Sequence, residues 1–356
     1  MNSINNERFI IERYKDFLPI TNKTPKLSLG EGGTPLVRSR QIEKEIGAGS
    51  LYFKLELSNP TGSFKDRGMI IAVAKAHESG SPAILCASTG NTSASASAYA
   101  AKFGLKSYVI VPAGFVAMGK LAQAVVYGAK IISIDGSFDD SLKIAQSLVE
   151  KNNVTLVNSV NPHRIDGQKT GAFEIIDELN FCPDLLCIPV GNAGNITAYW
   201  KGFREYQESG IIDSLPAMWG FQAAGAAPIV LDKKVKNPST IATAIRIGNP
   251  ASWKSAILAR DESNGLIDSV TDEEILFAYK KLAKEEGIFG EPACAAPIAG
   301  LLKQKKNGYD FKNKSIVCII TGSGLKDPDT ALSVESNIIN VPADEQKIAK
   351  ILEWNY

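Results

Sequence analysis

Short apolar runs rich in β-branched residues alternate along the chain with longer segments whose apolar positions recur at helical spacing. The runs 83–88, 107–112, 130–135, 154–158, 184–190, 217–222 and 315–320 read as strands, and their near-continuous apolar character fits strands covered on both faces. Between them, 65–79, 91–103, 119–128, 138–152, 166–179, 195–208, 272–286 and 293–306 carry helix patterns, and 343–354 reads as a closing amphipathic helix. This alternation predicts an α/β protein built on open, mostly parallel twisted sheets. The strands form two clusters, 83–158 and 184–320, and the segment 27–57 belongs to neither by spacing alone. The stretch 231–256 breaks the alternation and is rich in Lys, Asn, Pro and Ser. It reads as a long surface excursion, of the kind that often carries function.

Composition narrows the class. A chain of 356 residues has room for about two domains of ~100–200 residues each. Lys+Arg 39 against Asp+Glu 38 leaves a net charge of +1, without the basic surplus expected of a nucleic-acid partner. No run approaches the ~18 apolar residues of a membrane span. The polar start, Met1 to Arg8, has neither the basic-then-apolar order of a secretory signal nor the Arg and Ser bias of a transit peptide. The five cysteines (Cys86, Cys182, Cys187, Cys294, Cys318) form no C-x-x-C pair and read as buried free thiols in a reducing compartment. With His77 and His163 the only imidazoles, an imidazole-rich metal site is not expected. A cytoplasmic enzyme or binding protein is the expectation.

Ligands of open α/β sheets gather at the carboxyl ends of strands. In Ser58 to Gly68 (S-N-P-T-G-S-F-K-D-R-G) a Pro-Gly turn leads into a helix, with Ser63 in the N-cap position. Lys65 then falls in the first helical turn, where the dipole disfavours a cation and eases access to the neutral amine of Schiff-base chemistry. A solvated lysine beside Asp66 is the plainer alternative. Cys86 to Ser93 (C-A-S-T-G-N-T-S) runs from strand to helix and offers hydroxyls and free N–H groups to a carboxylate, or ordinary capping by Ser88 or Thr89. Pro189 to Ile196 (P-V-G-N-A-G-N-I) suggests a phosphate cradle, or a simple glycine turn, and matches neither common nucleotide loop. Thr321, in I-I-T-G-S-G-L-K-D, stands at a strand end where its hydroxyl meets either a ligand or nothing.

The order of these four elements resembles the pyridoxal-phosphate (PLP) enzymes of the tryptophan-synthase β-like fold. Within them the motifs are similar to those of the threonine synthases in their short form. The resemblance spans about 28–330 and includes Gly30 to Leu36 (G-E-G-G-T-P-L) and Asn158 to Thr170 (N-S-V-N-P-H-R-I-D-G-Q-K-T). It implies that Lys65 carries PLP covalently through its amine and shuttles protons, with Phe64 helping to fix the cofactor. It implies that Asn91 bonds the phenolic oxygen of the ring and Thr321 meets the ring nitrogen. The backbone of Gly191, Asn192, Ala193, Gly194 and Asn195 would bind the cofactor phosphate. Ser88, Thr89, Asn91 and Thr92 would take the substrate carboxylate, and Asn158, Ser159, Arg164 and Asn195 the substrate phosphate. Arginine suits that last task, because its planar fork makes paired, charge-assisted bonds.

The implied reaction turns O-phospho-L-homoserine and water into L-threonine and phosphate through β,γ-elimination and replacement. A threonine or serine dehydratase of the same fold is the alternative, and it has no use for a second phosphate site. A catalytically silent ligand-binding protein is the rival from another class. The implied architecture is a larger PLP-binding domain of 1–59 and 156–356 and a smaller mobile domain of 60–155, in a homodimer. Where many of these enzymes have His or Asn, this chain has Ser323, which changes the hydrogen bonding expected at the ring edge.

Overall fold

The computed structural model describes residues 9–113, 118–333 and 338–354, so the polar segment 1–8 lies outside the described residues. Among the described residues ten strands form two sheets: β1 (Leu36–Arg38), β2 (Ser50–Lys54), β3 (Ala83–Ala87), β4 (Lys106–Pro112), β5 (Lys130–Ile134), β6 (Thr155–Leu156), β7 (Leu185–Pro189), β8 (Ala217–Ala223), β9 (Leu266–Val270) and β10 (Ser315–Ile319). The six-stranded sheet has the order β1-β2-β10-β7-β8-β9 and the four-stranded sheet β5-β4-β3-β6. All pairings are parallel except β1 with β2. The segment 27–57, unassigned from spacing, supplies β1 and β2, and β2 pairs with β10 across most of the chain length.

The helices are α1 (Ile10–Arg13), α2 (Ile42–Ile46), α3 (Lys65–Glu78), α4 (Asn91–Phe103), α5 (Met118–Val126), α6 (Phe138–Lys151), α7 (Pro162–Gln168), α8 (Thr170–Leu179), α9 (Gly194–Glu208), α10 (Trp253–Glu262), α11 (Asp272–Glu286), α12 (Pro292–Lys306), α13 (Pro328–Ser333) and α14 (Glu345–Ile351). The expected helix 166–179 is two helices that meet at Lys169. The excursion 231–256 ends inside α10 and is not purely a surface loop, since Thr240, Ala242 and Ile245 are buried.

Strand alternation sorts side chains into layers. Leu186 and Ile188 of β7, with Val317 and Ile319 of β10, face one core, which continues through Ile70 and Val73 of α3 to Ile84 and Val109 of the other sheet. The intervening Leu185, Cys187, Ile316 and Cys318 face a second core roofed by α11 and α12. Leu85, Ala87 and Ile110 face a third, with Ala145 of α6. Helix α3 is therefore sandwiched between the two sheets, and its first turn opens where the strand ends of both converge. Cys86, Cys187, Cys294 and Cys318 are buried free thiols, whereas Cys182 is only partly buried. No described helix is long and apolar enough to cross a membrane.

Candidate active site

The lysine turn is stitched to the end of β10. Leu57 N–H donates to the Ile320 carbonyl (3.1 Å), Phe64 N–H to the Thr321 carbonyl (2.9 Å), and Ser323 N–H to the Gly62 carbonyl (2.9 Å). Two motifs 256 positions apart are thereby one unit. The N-cap of α3 is Phe64, not Ser63, and it caps without a side-chain bond. The Ser63 hydroxyl accepts a long bond from Lys65 N–H at 3.4 Å. Asp66, buried in the first turn, accepts from the Thr61 N–H (2.7 Å), the Thr61 hydroxyl (2.6 Å) and the Ser95 hydroxyl (2.6 Å), which fixes α3 against α4.

Lys65 keeps some contact with solvent as a residue, but its amine end lies deep among protein atoms, 3.9 Å from the centre of the Phe64 ring. Burial, then the Arg164 cation, lowers its pKa from 10.5 to about 7, with Glu291 alone opposing. The plainer reading of Lys65 as a solvated lysine is thus set aside, since Asp66 spends its oxygens elsewhere. In the cofactor-free protein, aldehyde capture by this amine should rise with pH to a midpoint near 7, because only the neutral form attacks. Stopped-flow absorbance with added PLP reads that midpoint, and a value near 10.5 would contradict the burial argument.

Arg164 reaches this amine because α7 crosses α3 at close range. A Cβ on Gly167 would lie 2.0 Å from the Arg67 carbonyl oxygen, and one on Gly68 would lie 2.6 Å from the Arg164 carbonyl oxygen. Fully buried, Arg164 donates from Nη1 to the Val157 carbonyl (2.8 Å), while Nε and Nη2 have no partner. Burial pushes its pKa down to about 10, which leaves it cationic at neutral pH. Behind the lysine turn, Arg67 bonds both Glu56 (2.6 and 2.8 Å) and Glu174 (2.8 and 2.6 Å), and Lys54 sits 3.0 Å from Glu174.

The remaining expected residues fall at the ends of neighbouring strands. Ser88 and Thr89 lie in the loop from β3 to α4, where Gly90 N–H donates to the Ser88 hydroxyl (3.2 Å). The N-cap of α4 is Gly90, so neither hydroxyl caps that helix. Asn91 and Thr92 open α4. The Asn158 amide is engaged at both ends with the backbone of Ala87 (2.9 and 2.8 Å), so it ties the 158–164 segment to the loop, with Ser159 next to it. Helix α9 starts at Gly194 behind Ala193, which holds a left-handed φ of 64° and brings no capping side chain. Both polar ends of the Asn195 amide are buried without partners. Gly191 has no room for a Cβ, which would lie 2.9 Å from Ile245 Cα. Asn192 holds the excursion down, accepting from Ser252 N–H (3.1 Å) on its carbonyl and from Ala251 N–H (3.2 Å) on its side chain. That long loop is the roof of the glycine turn.

Sequence reasoning passed over Glu291 and Lys326. Glu291 is buried and accepts from Asn91 Nδ2 (3.0 Å) and from the Thr321 hydroxyl (3.3 Å). The signal was present, since Glu291 directly precedes Pro292 at the first position of α12, a helix-start signature. The Lys326 amine bonds Gln123 of α5 and faces Asp66 and Glu291, and burial lowers its pKa. Ser323 accepts from Leu325 N–H (3.3 Å) and caps a short turn.

Residues 27–322 match the family model described as pyridoxal-phosphate dependent enzyme, and the chain belongs to that family. The fold is similar to that of maize serine racemase, with a TM-score of 0.73 over 90% of this chain and 92% of that one, at 22% identity. Far more of the sequence is shared with the threonine synthase of Halalkalibacterium halodurans, 59% identical over 340 residues, covering 95% of this chain and 96% of that protein. The threonine synthase of Synechocystis sp. is 54% identical over 348 residues, covering 97% of this chain and 91% of that protein. Within the PLP enzymes, the chain belongs to the threonine synthases.

Proposed function

We propose that the protein converts O-phospho-L-homoserine and water into L-threonine and phosphate, the last step of threonine biosynthesis, with PLP held at Lys65. The observation that carries this reading is the buried Arg164 guanidinium, with two nitrogens unpartnered beside a lysine of depressed basicity. A cation so placed is costly without an anion to meet it. The cradle at α9 already provides for the cofactor phosphate, so Arg164 is left for a second one.

The fit of the cofactor is supported by the uncapped start of α9, where free N–H groups and the helix dipole favour a phosphate. It is supported too by the tight backbone at Gly191 and the readily neutral Lys65 amine. Bound PLP supplies the electron sink that lets the bonds at Cα and Cβ of the substrate break, which no side chain can do. The chain's residues do the rest. The Lys65 amine takes the Cα proton, gives it up, and then takes a Cβ proton. As phosphate leaves from Cγ it returns protons to Cγ and finally to Cα, while water adds at Cβ as hydroxide and gives up its remaining proton. Ser88, Thr89, Asn91 and Thr92 hold the carboxylate. Arg164, with Ser159 and Asn195, holds the departing phosphate, and Asn158 keeps their segment in register with the loop.

Within the 60–155 segment, the smaller domain, the four-stranded sheet and its helices move, closing on the substrate and excluding water until it is needed, while the lysine turn stays stitched to the end of β10. Hydrogen exchange that slows across 88–112 on adding substrate is the expected sign, and unchanged exchange would contradict closure. The protein works in the cytoplasm and as a homodimer; the dimer is supported by exposed apolar side chains, Leu325 (78%), Leu332 (82%) and Ile338 (79%). Sedimentation at the mass of a single chain would contradict it.

Phosphate and threonine should appear in equal amounts from O-phosphohomoserine, far faster than ammonia appears from threonine. The reverse preference would make the protein a dehydratase. Arg164→Gln should raise KM for O-phosphohomoserine at least tenfold, as expected on losing a charge-assisted bond of about 1.5–3 kcal/mol. The same change should leave the affinity for PLP nearly unaltered, as read by absorbance titration.

A further inference from the structure

Glu291 lies at the crossing of three elements of the site and has no role in the account so far. It is the N-cap of α12, and its own N–H donates to the Gly322 carbonyl at 2.8 Å. The fit is close: a Cβ on Gly322 would lie 2.6 Å from Glu291 Oε1. Its carboxylate accepts from Asn91 Nδ2 at 3.0 and 3.3 Å and from the Thr321 hydroxyl at 3.3 Å, so it joins the start of α4 to the end of β10. The charged and titratable groups facing it are the amines of Lys65 and Lys326 and the thiol of Cys294. Lys65 in turn faces Arg164, and Lys326 faces Asp66.

We propose that Glu291 is a positioning residue for the cofactor ring, fixing which hydrogen-bonding atoms Asn91 and Thr321 present to it. The inference rests on the reading that Asn91 and Thr321 meet the phenolic oxygen and the ring nitrogen. An amide has a donor end and an acceptor end. With one N–H of Asn91 given to Glu291, the second N–H on the same nitrogen faces the phenolic oxygen as a donor. A hydroxyl has a single proton. While Thr321 gives it to a carboxylate, the ring nitrogen meets only lone pairs, which suit a protonated nitrogen. A protonated Glu291 would donate to Thr321 instead and free the hydroxyl proton for a bare nitrogen. Burial pushes the Glu291 carboxyl up from its ordinary value, against Asn91, Lys65, Lys326 and Thr321. The proton state of the ring is thus coupled to an acid that acts on it through Thr321.

The test is the visible absorbance of the PLP-loaded protein across pH, with the dissociation constant for PLP, in Glu291→Gln, Thr321→Val and the double variant. Glutamine keeps the shape, accepts from Asn91 with its oxygen and donates to Thr321 with its nitrogen, which turns the hydroxyl proton toward the ring. The spectral midpoint should move by about one pH unit and PLP should bind about tenfold more weakly. In the Thr321→Val background Glu291→Gln should add little to the spectral shift, as for groups acting in series. A wild-type spectrum and affinity in Glu291→Gln, with Thr321→Val altered, would overturn the role of Glu291 alone. A full-sized spectral shift from Glu291→Gln on top of Thr321→Val would overturn action through Thr321. Wild-type behaviour in Thr321→Val and in Asn91→Ala would overturn the underlying reading of the site. If Glu291→Gln does not fold, as judged by circular dichroism, Glu291→Asp answers the same question. It is one methylene short of spanning both partners, and a wild-type spectrum from it would refute the proposal.

Discussion

Lys65→Ala should yield a protein that folds but holds no covalently linked PLP, shows no visible absorbance from that linkage, and turns over O-phosphohomoserine at least ~10⁴-fold more slowly. The size of the effect follows from the site's economy of means. On the proposed reading the amine at the start of α3 is at once the attachment point and the proton carrier, and none of the described groups around it can replace it. Arg164 stays protonated, Glu291 is engaged with Asn91 and Thr321, and Lys326 is bonded to Gln123. Steady-state rates with a spectrum of the same sample check the expectation. Substantial activity in Lys65→Ala would mean that another group carries the chemistry.

The second large effect concerns stability. Arg67→Met should destabilise the fold by about 3–5 kcal/mol, because it leaves two buried carboxylates short of their partner. Glu56 and Glu174 are both essentially inaccessible, and Arg67 bonds each through two contacts. Burial alone would raise the pKa of Glu174, but the Arg67 and Lys54 cations hold it well below the ordinary carboxylate range. Its contribution is therefore present above the ordinary carboxylate value and lost as pH falls through the depressed one. In Arg67→Met that acid-side loss should shrink, along with overall stability. Denaturant melts at neutral and acidic pH read both. Arg67→Lys should recover little, since a point charge cannot span two carboxylates as a guanidinium does. An unchanged melt would show that Lys54 suffices for the pair.

Much of this was legible in the sequence, and the rest was hidden for definable reasons. The central strands β3, β4, β7 and β10 are continuous apolar runs, so their positions could be read directly. Strands β1, β2 and β9 were missed, and three of the five residues of β9 are only partly buried, so neither apolar run nor clean alternation marks it. Lys169 stands where α7 gives way to α8, and its buried amine pairs with Glu205, a contact 36 positions away that no local pattern announces. The residues proposed for the site, including Lys65 and Arg164, were singled out through short motifs at strand ends, and the structure brings them together. What local reading could not supply was their partnership. The stitching of 57–64 onto 320–323, the roof of 240–252 over Gly191 and Asn192, and the crossing at Gly68 and Gly167 are all long-range. Glu291 was overlooked for the same reason, as its partners lie 200 and 30 positions away.

Locating the attached cofactor tests the account most directly. Borohydride reduction of the PLP-loaded protein, followed by proteolysis and mass spectrometry, should place a single phosphopyridoxyl group on the peptide carrying Lys65. Prior addition of O-phosphohomoserine should deplete that labelled peptide while threonine and phosphate accumulate in the same tube. A reduced adduct on Lys326 or on a surface lysine instead, with Lys65 unmodified, would contradict the account at its base.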